Sequence, residues 1–319
     1  MPPRPRVFAT RALPGEGLAR LAECVDLDLW PGPGAPPPEA LAERVADAEG
    51  LLCLLTDRID AALLARAPRL RVVSSCSVGL DHVDLAAAAR RGIAVGFTPG
   101  VLAETTADLA FGLLLAAARR IPEADRFVRA GLWTSERRWE PELLLGIDVH
   151  GATLGIVGLG AIGRAVARRA SGFGMRVLGW SRSGRPFPGV EVVTLERLLE
   201  TSRFVSIHLA RTPETLGLVD ARALARLPEG AVLVNASRGG IVDEDALAEA
   251  LRSGRLFAAG LDVYAREPLP SASPLLDLPN VVLTPHIGSA SVATRIRMAD
   301  LAVENLLAGL EGRPLPHRA

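Results

Sequence analysis

The sequence contains no lysine and no glutamine, so all 36 of its basic residues are arginine. They balance 36 acidic residues for a formal net charge of zero. A chain with no global basic field is not built to hold nucleic acid by charge alone. The missing lysine reads as a compositional bias of the source, so a single arginine needs further support before it is given a role. Cysteine is scarce. Cys24, Cys53 and Cys76 are odd in number, widely spaced and never arranged as CxxC. That excludes a disulfide framework and a cysteine zinc site, and it points to a reducing compartment. Long apolar runs are absent too. The longest, Leu109 to Ala118, falls far short of the roughly 20 residues that cross a bilayer. The opening Met1-Pro-Pro-Arg-Pro-Arg6 leads into a strand pattern at Val7–Ala9 without a signal-peptide apolar core. These absences set the expectation of a soluble, cytoplasmic protein with no membrane and no nucleic-acid partner, and no metal site is signalled.

What is present is enough apolar residue, 49% of 319, to fill the cores of two domains. The first hundred residues alternate short apolar runs with helical patterns. Strands are expected at Val7–Ala9, Val25–Leu29, Gly50–Leu54, Val72–Ser75 and Ile93–Val95, and helices at Glu39–Ala48, Ala61–Ala67 and Val83–Arg90. Such alternation predicts a parallel, doubly wound sheet. A broadly apolar helix is expected over Val101–Arg120, then a shorter one at Glu123–Ala130, then an irregular stretch from Trp133 to Gly146. A second α/β series follows. Its strands are expected at Thr153–Val157, Arg176–Trp180, Phe204–His208, Ala231–Asn235, Ala258–Asp262 and Val281–Leu283, before a last helix over Ser289–Leu310.

The second series opens on Gly158-Leu159-Gly160-Ala161-Ile162-Gly163, directly after an apolar strand and directly before a helical pattern. That context is what a dinucleotide fingerprint requires. The first glycine permits the tight turn, the second lets the backbone approach a pyrophosphate, and the third lets helix and strand pack closely. The phosphates would sit over unpaired N–H groups at the positive end of the helix. An NAD site also wants a carboxylate after the next strand, to hold a ribose hydroxyl. Here Arg176–Trp180 ends in Ser181-Arg182-Ser183. An arginine there could hold a 2′-phosphate instead, so NADP is expected, with NAD the second candidate.

Three later strands end in residues able to do carbonyl chemistry. Arg238 follows Ala231–Asn235 on a glycine-flanked loop and suits a planar carboxylate. Glu267 follows Ala258–Asp262 and precedes a proline. His286 follows Val281–Leu283 and is one of five histidines, the side chain best able to exchange a proton near neutral pH. Singly, these read as a surface arginine, a solvated carboxylate and a structural histidine. Together, at the carboxyl ends of three strands of the fingerprint sheet, they would converge on one cofactor cleft.

With these residues the chain resembles the D-isomer-specific 2-hydroxyacid dehydrogenases, and within them the glyoxylate/hydroxypyruvate reductases. The matching segments are Ser77–Asp84, Thr98–Leu109, Gly158–Gly163, Asn235–Gly239, Ala259–Val263 with Glu267–Leu269, and Pro285–Ser289. The resemblance implies two doubly wound parallel-sheet domains: a flavodoxin-like substrate domain, 1–99 plus 290–319, and a Rossmann NAD(P)-binding domain, 100–289. It implies His286 as proton donor, Glu267 as the carboxylate that favours its protonated form, and Arg238 as the grip on an α-keto acid. Val78 and Gly79 would offer backbone N–H groups to the substrate carboxylate, and Ser289 would lie beside the substrate. Thr105 or Thr106 would touch the cofactor phosphates. Ala210, Ala236, Asp262 and Gly288 would complete the cofactor site. Trp139, or Trp133 nearby, would enter the active site of a partner subunit in a homodimer. The activity implied is NADPH-dependent reduction of glyoxylate and hydroxypyruvate. An NAD-dependent D-2-hydroxyacid or phosphoglycerate dehydrogenase is the alternative within the class, and a cofactor-sensing protein of corepressor type is the alternative outside it.

Overall fold

The computed structural model describes residues 3–319. The chain divides into two compact units, Met1–Leu102 with Ser289–Ala319, and Ala103–Gly288.

In the first unit, β1 (Arg6–Ala9), β2 (Asp26–Leu29), β3 (Gly50–Cys53), β4 (Val72–Ser75) and β5 (Ala94–Gly96) form an all-parallel sheet in the order β2-β1-β3-β4-β5. This is the flavodoxin-like strand order. Every residue of β3 and β4 is buried, which explains why neither alternates between apolar and exposed polar residues; the serines that end β4 are buried with hydroxyl partners, Ser75 Oγ lying 2.7 Å from Ser77 Oγ. Helices α1 (Gly17–Cys24), α2 (Pro38–Val45), α3 (Ala61–Ala65) and α4 (Leu85–Arg90) make the crossovers. The helix Val292–Leu310 rejoins this unit through polar ties as well as packing. Ser74 Oγ donates to Ala302 O at 2.7 Å, and Asn305 Nδ2 donates to Phe97 O at 2.9 Å. Helix α1 is not among the expected elements. It follows Pro14-Gly15 and contains Gly17, so its sequence reads as loop, although it turns Gly17 and Leu21 inward.

The second unit begins with α5 (Ala103–Ala118) and α6 (Ile121–Arg129). Its strands are β6 (Thr153–Val157), β7 (Arg176–Trp180), β8 (Glu191–Val192), β9 (Phe204–Ile207), β10 (Ala231–Asn235), β11 (Leu256–Leu261) and β12 (Val281–Leu283). They form a parallel sheet in the order β12-β11-β10-β9-β6-β7-β8. Strand order reverses between β6 and β9, the topological switch point at which such sheets bind ligands. Helices α7 (Ala161–Ser171), α8 (Leu195–Thr201), α9 (Ala221–Arg226) and α10 (Glu244–Arg252) complete the crossovers. One face of the sheet packs on α8, α9 and α10 and the other on α5 and α7. Alternate strand residues therefore enter opposite cores: Leu154 and Ile156 face α5 and α7, while Val157 faces the other way. The broad apolar character of α5 follows from its place on the sheet, with Ala107, Ala110, Phe111, Leu113, Leu114, Ala117 and Ala118 buried. Strands β9 and β11 end one residue earlier than expected, which leaves His208 and Asp262 just beyond them. Among the described residues no helix is long and apolar enough to cross a membrane.

Candidate active site

The glycine loop joins β6 to α7. Gly158 has φ +107°, a conformation that a side chain would strain. A Cβ on Gly163 would lie 1.9 Å from the Gly158 carbonyl oxygen, so only glycine lets α7 pack this closely. A Cβ on Gly160 would meet nothing within 4 Å, so the loop is open on that side. Gly160 is also the N-cap of α7, and no side chain caps that helix. By contrast α8, α9 and α10 are capped by Thr194, Asp220 and Asp243. An eleven-residue helix with an uncapped, glycine-lined N-terminus at the switch point fits a dinucleotide pyrophosphate. Leu159 is buried, and its carbonyl accepts from Arg164 Nε at 2.9 Å, with the Arg164 guanidinium 5.4 Å from the Phe187 ring centroid. Arg164 thus braces the loop from inside α7. Ala161 and Ile162 form the first turn of that helix.

Ser181 and Arg182 follow β7 and line an open recess of about 740 Å³ with Gly184, Thr194 and Arg197. No carboxylate occupies the position directly after β7. Glu191, on β8, does border the recess, but it is engaged by Arg176 and Arg197.

At the other side of the switch point, β10, β11 and β12 bring three side chains to one edge. Asn235, the last residue of β10, shapes the Arg238 loop. Its Oδ1 accepts from Ser237 N and Ser237 Oγ, and its Nδ2 donates to Arg238 O at 3.0 Å. Arg238 is partly buried, with Nη1 donating to Ser237 O at 2.8 Å. The Arg238 loop lies hard against the loop after β11, since a Cβ on Gly239 would fall 1.7 Å from Tyr264 O. Glu267 sits on that second loop and accepts from Tyr264 N–H at 3.1 Å. His286 Nδ1 lies 2.7 Å from Glu267 Oε2. That contact fixes Nδ1–H as the donor to the carboxylate and leaves Nε2, on the opposite edge of the ring, free to exchange a proton. Burial pushes the Glu267 carboxyl up, but the hydrogen bond and charge of His286, the Tyr264 N–H and the Arg238 charge outweigh it, and it titrates below its ordinary value.

His286 itself has φ +52°, strained for a side chain of this size. The strain is held by Asp262, which is 1% exposed. Its Oδ1 accepts from Thr284 Oγ1 at 2.6 Å and Ile287 N at 2.8 Å, and its Oδ2 accepts from Gly288 N at 2.8 Å. Burial nonetheless pushes the Asp262 carboxyl up, against those donors and the charge of His286. Gly288 packs on Thr106, with a Cβ there meeting Thr106 Cγ2 at 3.2 Å. Thr106 is buried and Thr105 only partly so. The Ala210 carbonyl accepts from Thr215 Oγ1 at 2.8 Å, and Ala236 is buried in the α5–α7 core.

In the first unit, Val78 and Gly79 follow β4 on a loop fixed by serines. Ser77 Oγ donates to Gly79 O at 2.7 Å and lies 2.7 Å from Ser75 Oγ. Ser289 also belongs to this unit, and its carbonyl accepts from Ser291 N at 2.9 Å. Trp139 is 89% exposed and Trp133 57%, so neither takes part in the Arg238–Glu267–His286 cluster of its own chain. Two residues beside the site escape sequence reading. His208, just beyond β9, lies against the glycine loop: a Cβ on Gly158 would touch His208 O at 2.4 Å. Its ring Nε2 is 2.7 Å from Ser206 Oγ, and its Nδ1 is buried without a partner. Glu244, at the start of α10, accepts from Ala265 N–H on the Glu267 loop. The strand-end position that singles out His286 also applies to His208; nothing in sequence signals Glu244. Among the described residues no three His, Cys, Asp or Glu side chains gather as a metal site needs.

Residues 111–288 match the family model of the D-isomer specific 2-hydroxyacid dehydrogenase NAD binding domain. A glyoxylate reductase of Korarchaeum cryptofilum is 51% identical over 98% of this chain and 95% of its own length. A crystal structure of a Thermus thermophilus protein superposes with TM-score 0.93 at 52% identity, covering 98% of this chain and 99% of that one. An NADPH-dependent glyoxylate/hydroxypyruvate reductase of Sinorhizobium meliloti, solved with NADP and malonate, superposes with TM-score 0.87 at 35% identity, covering 99% and 97%. The sheet orders, the glycine loop at the switch point and these matches together identify a nicotinamide-dependent oxidoreductase, and the chain belongs to the D-isomer specific 2-hydroxyacid dehydrogenase family.

Proposed function

We propose that the protein reduces glyoxylate to glycolate and hydroxypyruvate to D-glycerate, with NADPH as the preferred cofactor. The observation that carries this reading is the 2.7 Å contact between His286 Nδ1 and Glu267 Oε2, with the Arg238 charge acting on the same carboxylate. Bound nicotinamide supplies hydride to the keto carbon. Arg238 holds the keto acid through paired N–H donors. His286 donates its Nε2 proton to the oxygen as alkoxide forms, and Glu267 stabilises the imidazolium beforehand and fixes its tautomer. Asp262, Thr105, Ala210, Ala236 and Gly288 border the cofactor, and the first turn of α7 holds its pyrophosphate. Val78 and Gly79 are proposed as backbone donors to a substrate carboxylate, with Ser289 nearby, as the family resemblance suggests.

The NADPH preference is supported by Ser181 and Arg182 at the position where an NAD site carries a carboxylate, and by the cofactor named for the Sinorhizobium meliloti relative. We further propose a homodimer in the cytoplasm. Helix α6 buries none of its residues, and Ile121, Val128, Leu132, Trp133, Trp139 and Leu145 are exposed in and after it. An apolar tract of that extent is suited to a second copy of the chain. The test is kcat/KM for glyoxylate and hydroxypyruvate, each with NADPH and NADH. Both keto acids should drive cofactor oxidation, faster with NADPH. Failure with both would overturn the substrate assignment, and equal rates with the two cofactors would overturn the preference.

A further inference from the structure

Glu244 stands at the junction of two loops that the proposed chemistry depends on. It is the first residue of α10, which begins six residues beyond Arg238. The ordinary work of a helix start is already done by its neighbour: Asp243 accepts from Asp245 N at 3.1 Å and from Ala246 N at 3.0 Å. Glu244 is therefore free to turn off the helix, and its Oε1 accepts the backbone N–H of Ala265. Ala265 lies two residues before Glu267 on the loop after β11. The two loops are in backbone contact here, since a Cβ on Gly239 would sit 2.6 Å from Ala265 N. Glu244 thus ties the start of α10 to the segment that presents Glu267 to His286.

We propose that Glu244 is a positioning residue that fixes the Glu267 loop through Ala265 and, by its negative charge, biases the His286–Glu267 pair toward protonated imidazole. This deepens the acid–base reading above and rests on it. Asp243 and Asp245 flank Glu244 on the helix, and Glu267 and Tyr264 face it from the loop after β11. Glu267 in turn faces His286 and Arg238. Tyr264 is pushed up to about 12, chiefly by burial, so it stays neutral and does not compete. Burial, then the like charges of Asp245, Glu267 and Asp243, raise the Glu244 carboxyl against the Ala265 N–H that lowers it. Removing the Glu244 charge takes a negative charge from beside Glu267, the carboxylate that His286 Nδ1 contacts at 2.7 Å, so the pH dependence of the rate reads it directly.

The structural and electrostatic parts separate by substitution. Glu244→Gln keeps the shape and an oxygen acceptor for Ala265 N–H but removes the charge. Glu244→Ala removes both. The measurement is kcat/KM for glyoxylate with NADPH from about pH 5 to pH 9, alongside thermal melting and NADPH binding. The Gln variant should melt and bind NADPH as the parent does. Its alkaline limb should move to lower pH, with a rate deficit that grows along the limb to about threefold, the size of a half-unit displacement. The Ala variant should add a loss that is the same at every pH. Glu244→Thr is the second uncharged variant should Gln fail to fold. Gln and Thr profiles superimposable on the parent would overturn the charge role. His286→Ala separates the two levels: if it turns over like the parent, the acid–base reading falls and this inference with it. If it is inactive while the Gln and Thr profiles match the parent, this inference alone falls.

Discussion

Replacing Asp262 by alanine tests whether one buried carboxylate holds the His286 loop in its strained shape. Asp262 is 1% exposed and receives three donors: Thr284 Oγ1, Ile287 N and Gly288 N. Alanine leaves Ile287 N and Gly288 N without their acceptor and leaves Thr284 Oγ1 only its longer contact with Leu261 O, 3.4 Å. A buried donor left unmatched costs about 1–3 kcal/mol, more when its lost partner was charged. The three are not additive, because Ile287 can swing toward water while Gly288 N is buried. Removing a carboxylate that burial disfavours also returns some energy: its raised value means that its ionised form is held at a cost. The net expectation is a loss of about 2–4 kcal/mol, a large fraction of the about 5–15 kcal/mol that stabilises a typical domain. The same change frees residues 284–288, so His286 should leave φ +52° and its contact with Glu267. Urea unfolding gives the stability, and kcat for glyoxylate reduction reads the loop. Glu267 should report the loss as well: without the imidazole its carboxyl loses the partner that lowers it. Asp262→Asn should fall between parent and alanine, because one amide oxygen cannot serve donors on both sides. If Asp262→Ala unfolds within about 0.5 kcal/mol of the parent and keeps normal kcat, the carboxylate does not hold this loop.

Four other expectations are as direct. His286→Ala should lose most turnover while NADPH still binds by fluorescence titration; normal kcat would remove it as the proton donor. Arg182→Ala should raise KM for NADPH more than for NADH, and equal changes would remove the 2′-phosphate contact. Gly163→Ala puts a Cβ 1.9 Å from Gly158 O, so α7 must shift; NADPH binding should weaken and stability should fall by about 1–3 kcal/mol, measured by calorimetry and titration. Burial holds His208 down, from 6.5 to about 4. The unfolded chain therefore takes up a proton that the folded chain refuses, and stability drops as pH falls from 6.5 to about 4, by up to about 3 kcal/mol. His208→Gln should show a shallower loss over that window in urea unfolding; an unchanged slope would mean that the ring protonates freely in the fold.

The parts of the fold that sequence made legible are those whose energetics are local. Strands β3, β6 and β10 are buried along nearly their whole length, so each had to be largely apolar, and β4, equally buried, keeps Ser74 and Ser75 by pairing their hydroxyls with Ala302 O and Ser77 Oγ. The glycine loop was legible for the same reason: a left-handed turn at Gly158 and a close approach at Gly163 both demand the absence of a Cβ. Helix α1 was not, because what makes it a helix is distant. A Cβ on Gly17 would lie 3.3 Å from Asp300 Oδ1 and 3.7 Å from the backbone of Ala299, so a residue that reads as a helix breaker packs directly on a helix nearly three hundred residues on. Short helices α8 and α9 carry too few turns to show a period, and their capping residues Thr194 and Asp220 are the only local sign of them.

The site divides along the same line. Arg238, Glu267 and His286 could be named because each follows a recognisable strand, and the sheet order puts those strands side by side. Their mutual geometry rests on residues with no such marker. Asn235 folds the Arg238 loop, Gly239 lets it touch Tyr264, Glu244 ties it to Ala265, and Asp262 holds His286 in a backbone conformation it would not adopt alone. Asn, Glu and Asp at strand or helix ends are common and mostly cap or solvate, so type and position do not separate these from others. What separates Glu244 and Asp262 is that each side chain satisfies backbone groups on a different loop, while Asn235 shapes the loop that follows its own strand. That relation exists only once the strands are aligned, and it brings three separate strand ends together as one cluster. Tuning within the family is therefore expected to lie in these tethers, where a change of charge or reach shifts the pair without removing either of its members.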